Sequence, residues 1–176
     1  MDAMTKLKKA RVKLLTTSNP ALVFMAHLAC VPDKLDGAVE TACTDGTVIR
    51  WNPEFVDAST DAEVFGTLIH ELLHVGLLHT VVACNYRAEL PRLNVAADLA
   101  VNSILSRAGI DLPEGAIMPG VGKYAHLPHG LSLEQYLAEL RKLDEQKQKK
   151  QQKQQGGGQG HRQQQDRQAE VDGERA

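Results

Sequence analysis

Two histidines four residues apart with a glutamate after the first, His70-Glu71-Leu72-Leu73-His74, form the stretch of this chain best suited to chemistry. On a helix, positions four apart lie one above the other, so the two imidazoles address one point in space and make half of a zinc site. Glu71 sits on the neighbouring edge of the same face, where its carboxylate reaches a metal-held water as a general base without binding the metal. The chemistry such a set supports is metal-assisted hydrolysis of a peptide bond.

A catalytic zinc takes three protein ligands and leaves a fourth position for water or substrate. Two residues compete for the third place. His79 stands nine positions after His70, and on an unbroken helix it would point roughly 180° away at ~100° per residue. Gly76 offers a place to break the helix and turn the chain back. The metzincin pattern HExxHxxGxxH makes such a turn, but here both the glycine and the last histidine come one residue early. Asp98 is the second candidate and the preferred one. A carboxylate delivered from a second helix after HExxH is the thermolysin-like arrangement, and carboxylate oxygen suits zinc. The residue that does not bind is expected to orient a ligand from outside.

These side chains require two helices. Thr60 and Glu63 form a capping box, Asp61 and Glu63 suit the positive helix end, and Val64, Phe65, Leu68, Ile69, Leu72 and Leu73 form a core-facing stripe. The pattern predicts a helix over about 60–77. A second helix starts near Pro91 and closes at Gly109, with Asn94, Asp98 and Asn102 on one face. Upstream, residues 39–43 and 47–51 read as strands around an Asp45-Gly46 turn, a hairpin whose edge could pair with an extended peptide. Residues 2–17 read as a basic amphipathic helix packed through Met4, Leu7, Val12, Leu14 and Leu15. Residues 21–30 are an apolar run, helix or strand, with His27 as a core histidine. Residues 110–130, rich in Gly and Pro, read as a long loop in which Tyr124, His126 and His129 are candidate donors to an oxyanion. A short last helix is expected over 132–143.

HELLHVGLLH, Arg87 and then LNVAADLAVN, with TACTDG and WNPEF upstream and LPEG and LSLEQY downstream, resemble the metallopeptidase domain found in bacteria and phages at the front of von Willebrand factor A-like proteins. The resemblance covers about residues 10–140. It implies a zinc-dependent peptidase domain acting on a protein or peptide substrate, with Zn2+ as cofactor. Its alternative implication is a metal-stabilised binding module that works with a von Willebrand factor A-like or AAA+ ATPase partner. The fold expected is α+β and zincin-like, mainly helical with a small β-hairpin or sheet beside the HExxH helix. The domain spans 1–143, and 144–176 is a Gln/Lys/Gly-rich tail or linker expected to be disordered or a frayed helical extension, with His161 no ligand.

Composition narrows the alternatives. The chain has 176 residues, with Lys+Arg 20 against Asp+Glu 22 and a formal net charge of -2, which offers no general attraction for nucleic acid or an anionic membrane. No apolar stretch approaches the ~18 residues of a membrane span, and no cleavable leader is visible, so a cytoplasmic protein is expected. Cys30, Cys43 and Cys84 are odd in number and lack CxxC spacing, and they read as small core residues rather than a disulfide or cysteine-zinc framework.

Overall fold

The structure, a computed structural model, describes residues 2–156. Its elements are α1 (Ala3–Leu15), α2 (Pro20–Ala26), β1 (Asp33–Leu35), β2 (Ala42–Thr44), β3 (Ile49–Trp51), α3 (Pro53–Ala58), α4 (Asp61–Gly76), α5 (His79–Asn85), α6 (Leu90–Arg107) and α7 (Leu133–Gly156). Short 3₁₀ turns lie at His27–Cys30, Arg87–Glu89 and Gly122–Tyr124. The fold is α+β, with a small three-stranded mixed sheet. Two compact units divide the chain, Met1–Leu137 and Ala138–Ala176. Everything that concerns the site lies in the first. No single helix among the described residues is long and apolar enough to cross a membrane.

Helix α4 is the centre of the first unit. The expected capping box closes its start: Glu63 N–H donates to Thr60 Oγ1 at 3.2 Å and Thr60 N–H donates to Glu63 Oε2 at 2.8 Å. Val64, Phe65, Leu68, Ile69 and Leu72 are all buried. Burying each such side chain contributes about 1.5–3 kcal/mol, so tertiary packing outweighs the ~1 kcal/mol that Gly66 costs in the helix interior. Helix α1 packs against α4. Its buried face is Ala3, Leu7, Ala10 and Leu14, whereas Met4, Val12 and Leu15, expected inside, are exposed. The 3–4 spacing of the small and large apolar residues selects that face.

Asn52 caps α3 by accepting from the Glu54 and Phe55 N–H groups, so a short helix stands between the last strand and α4. Lys6 Nζ donates to the carbonyls of Val56, Asp57 and Ser59 at 2.7–3.0 Å and satisfies the chain end of α3.

The expected hairpin exists: β2 pairs antiparallel with β3, Cys43 opposite Arg50. Asp45 Oδ1 accepts from Thr47 N–H, Thr47 Oγ1 and Val48 N–H, which shapes the turn. Gly46 has φ +91° there. The sequence pattern missed β1, which pairs parallel with β3 and completes the order β1-β3-β2. It is held by side chains as much as by its ladder. Asp33 accepts from Arg11 Nη2 at 2.7 Å and from Trp51 Nε1 at 2.9 Å.

Three smaller expectations change. The apolar run 21–30 is α2 and a 3₁₀ turn, and His27 is exposed. Cys30, Cys43 and Cys84 are all exposed thiols rather than core residues. Helix α7 continues past 143 to Gly156; residues 157–176, including His161, lie outside the described residues.

Candidate metal centre

Helices α4 and α6 pack against each other. Pro91 occupies the first turn of α6, and Gly109, with φ +66°, follows its end. Ala96, Ala97 and Ala100 are buried beside Asp98, and their small side chains let α6 approach closely. The Asp98 carboxylate is thereby brought to the histidines of α4. Asp98 Oδ1 lies 3.6 Å from His70 Nε2 and 3.3 Å from His74 Nε2, and the two Nε2 atoms are 2.9 Å apart. For bonds of ~2.0–2.2 Å, a tetrahedral site has ligand atoms about 3.3 Å from one another. The three edges bracket that value. Among the described residues, His70, His74 and Asp98 are the set that could hold a metal ion.

His79 reaches the same cluster from the other side. Leu78, with φ +57°, makes the corner between α4 and α5 and turns His79 inward to a buried position. Its Nδ1 lies 3.3 Å from Nδ1 of His74, the nitrogen opposite the one that faces Asp98. His79 therefore abuts a histidine of the set without joining it. His70 is held likewise: its Nδ1 lies 2.8 Å from Asn102 Oδ1.

The charges are mutually adjusted. Burial alone would raise the pKa of Asp98, yet the two imidazoles beside it bring it to about 2. Burial opposes protonation of His70, but Asp98 and Glu71 outweigh it and its pKa rises. His79, buried and next to His74, falls to about 4 and is neutral at physiological pH. Glu71 is 6% exposed, and burial raises its carboxyl pKa against the opposing pull of His70 and His74. No hydrogen bond engages the Glu71 carboxylate among the described residues.

His70, Glu71, His74 and Asp98 line a cleft of about 590 Å³. Its lining includes one wall segment at 40–44, with β2, and another at 112–117. Thr41 O accepts from Asn52 N–H at 2.8 Å, so in this antiparallel register residues 41 and 43 turn their peptide groups toward β3. Ala42 therefore presents its N–H and C=O on the unpaired edge of β2. Cys43 lines the cleft, its thiol pKa raised by burial and by the Glu71 carboxylate.

Over residues 2–176 the chain matches the family described as "putative metallopeptidase domain". It belongs to that family. No curated protein and no solved structure matches the chain. The helix that carries His70 and His74 and the helix that carries Asp98 both stand where the sequence placed them. Tyr124, His126 and His129 do not line the cleft; His129 rests on buried Ser103, with Nδ1 3.5 Å from its Oγ. What sequence reasoning did not assign is Asn102, although it shares its helix face with Asp98, and the cleft wall 112–117.

Proposed function

We propose that this domain is a zinc-dependent peptidase in which His70, His74 and Asp98 hold the ion and Glu71 is the general base. The observation that carries the reading is Glu71 itself. The residue is 6% exposed, yet its carboxylate takes no hydrogen bond among the described residues and lines the open cleft beside three convergent donor atoms. Two imidazole nitrogens and one carboxylate oxygen are a donor set that zinc accepts. When bound, the ion supplies a Lewis acid that lowers the pKa of a coordinated water towards ~7.

The chain's own groups supply the rest. Glu71, its pKa raised by burial, is matched to accept a proton from the attacking water and return it to the departing amine. The free edge of β2 offers the Ala42 N–H and C=O to the main chain of an extended peptide, which gives affinity without sequence preference. Neutral His79 accepts from the Nδ1–H of His74 and leaves Nε2 of that ring directed at Asp98. His79 approaches the far nitrogen of His74, so the set remains at three protein donors. Three donors favour a catalytic site over the closed, four-ligand site of a metal-stabilised binding module.

The test is metal content and peptide hydrolysis on the same preparations. Near one zinc per chain is expected in the parent protein, lost in Asp98→Ala and retained with weaker affinity in His79→Ala. Glu71→Gln is expected to keep zinc and lose turnover by ~10²–10⁴-fold. A parent protein that binds no supplied zinc, or a Glu71→Gln variant at full rate, overturns the proposal.

A further inference from the structure

We infer that Asn102 is a positioning residue that fixes the ring of His70 and straps one wall of the cleft to the same helix; the inference rests on the zinc-peptidase reading. Asn102 is 3% exposed and sits one turn beyond Asp98 on α6. Both ends of its amide are engaged. Its Nδ2 donates to Ile117 O at 2.9 Å, and its Oδ1 lies 2.8 Å from His70 Nδ1.

The chemistry of the partners sets the direction of each bond. A main-chain carbonyl only accepts, so the amide nitrogen of Asn102 must face Ile117 and its oxygen must face His70. That oxygen also only accepts, so Nδ1 of His70 carries the hydrogen. The lone pair of His70 is then on Nε2, the atom that faces His74 and Asp98. A free imidazole exchanges between two tautomers and rotates; this one has a single competent state. Carboxamide and main-chain partners of this kind are worth ~10–100-fold in metal affinity.

The same side chain restrains substrate space. Ile117 ends the segment 112–117 that forms one wall of the cleft. The other end of that segment is pinned on α4: the main-chain oxygen of Asp111 lies so close to Gly66 that a Cβ there would meet it at 1.8 Å. One end of the wall is thus fixed one turn before His70, and the other is tied to the residue that orients His70. Wall position and ligand orientation become a single mechanical state, so a substrate that displaces the wall also turns the histidine.

Two substitutions separate the two bonds. Asn102→Asp keeps an acceptor for His70 but replaces the donor to Ile117 with an oxygen, and Asn102→Ala removes both. The measurements are zinc affinity by competition with a chromophoric chelator and amide hydrogen exchange of 112–117. Asn102→Ala is expected to bind zinc ~10–100-fold more weakly. Asn102→Asp is expected to stay within a few-fold of the parent or bind more tightly. Exchange at 112–117 accelerates in both. Equal loss of zinc affinity in the two variants, or parent-like affinity in Asn102→Ala, overturns the role of Asn102 while the peptidase reading stands. A parent protein without zinc affinity removes both.

Discussion

Gly66→Ala separates the packing argument from the propensity argument, because the two predict opposite signs. Gly66 is inside α4, where alanine is favoured over glycine by about 0.8–1 kcal/mol. Propensity alone therefore predicts a stabilised protein. Against this, the new methyl carbon would lie 1.8 Å from Asp111 O and 3.0 Å from Asp111 C, where ordinary contact begins at 3.4 Å. The obstacle is main chain, so no rotamer change relieves it, and the wall segment must retreat by roughly 1.5 Å. Overpacking of this kind costs about 1–3 kcal/mol, and more where the retreat also strains the Asn102–Ile117 bond. With that added strain set against the propensity gain, the net expectation is a loss of up to about 2 kcal/mol, seen as a lower urea midpoint at unchanged slope and a Tm lower by up to roughly 8 °C for a domain of this size. Zinc affinity should fall with it, since the wall is tied to the residue behind His70. A Gly66→Ala protein as stable as the parent, or more stable, would refute the close approach of Asp111 and the strap built on it.

Other consequences are equally direct. Asp33→Ala should destabilise by about 3–5 kcal/mol in urea melts, because it strands the largely buried Arg11 guanidinium and the Trp51 indole N–H; the double variant Arg11→Met/Asp33→Ala should lose less than the sum of the single changes. Hydrogen bonds from Thr47 hold the Asp45 carboxyl at about 2, below its ordinary 3.8, so the turn's stabilisation is present above 3.8 and is lost as pH falls through about 2. Amide exchange at Thr47 and Val48 should accelerate across that window, and an exchange profile that ignores it would remove Asp45 from the turn. Glu40 and Glu114 both line the cleft, and no lysine or arginine lines it among the described residues. Glu40→Gln and Glu114→Gln should each lower kcat/KM for peptides with Lys or Arg near the scissile bond by up to about five-fold, with no effect on neutral peptides. Equal loss for both peptide classes would show that charge is not the cause.

The two chemical helices were legible because their signals are local. Thr60, Glu63 and the Val64–Leu73 stripe are readable without knowing what surrounds them, and so are Pro91, Gly109 and the four-residue spacing that sets Asp98 on one face. What stayed hidden depends on distant contacts. Strand β1 is only Asp33-Lys34-Leu35, too short to alternate, and it exists because β3 and Arg11 hold it. Gly66 reads as a local weakness of α4 until Asp111 is brought beside it. Asn102 was visible as a member of a polar face, but its roles need Ile117, fifteen residues later, to return to the same helix. Tyr124, His126 and His129 showed the opposite error: suitable side chains in a suitable loop that the chain carries away from the cleft.

Leu78 shows how residue spacing becomes stereochemistry. A left-handed leucine costs roughly 1–2 kcal/mol, and this one also keeps a large apolar side chain 60% exposed. Neither property benefits the residue itself. The gain belongs to its neighbour, because this corner decides which nitrogen of His74 meets His79. The interval between the fifth and last positions of HELLHVGLLH thus works as a ruler. At its present length it delivers a buttress behind the histidine, and the number of protein donors is set by the length of a turn as much as by the identity of the residues that follow it.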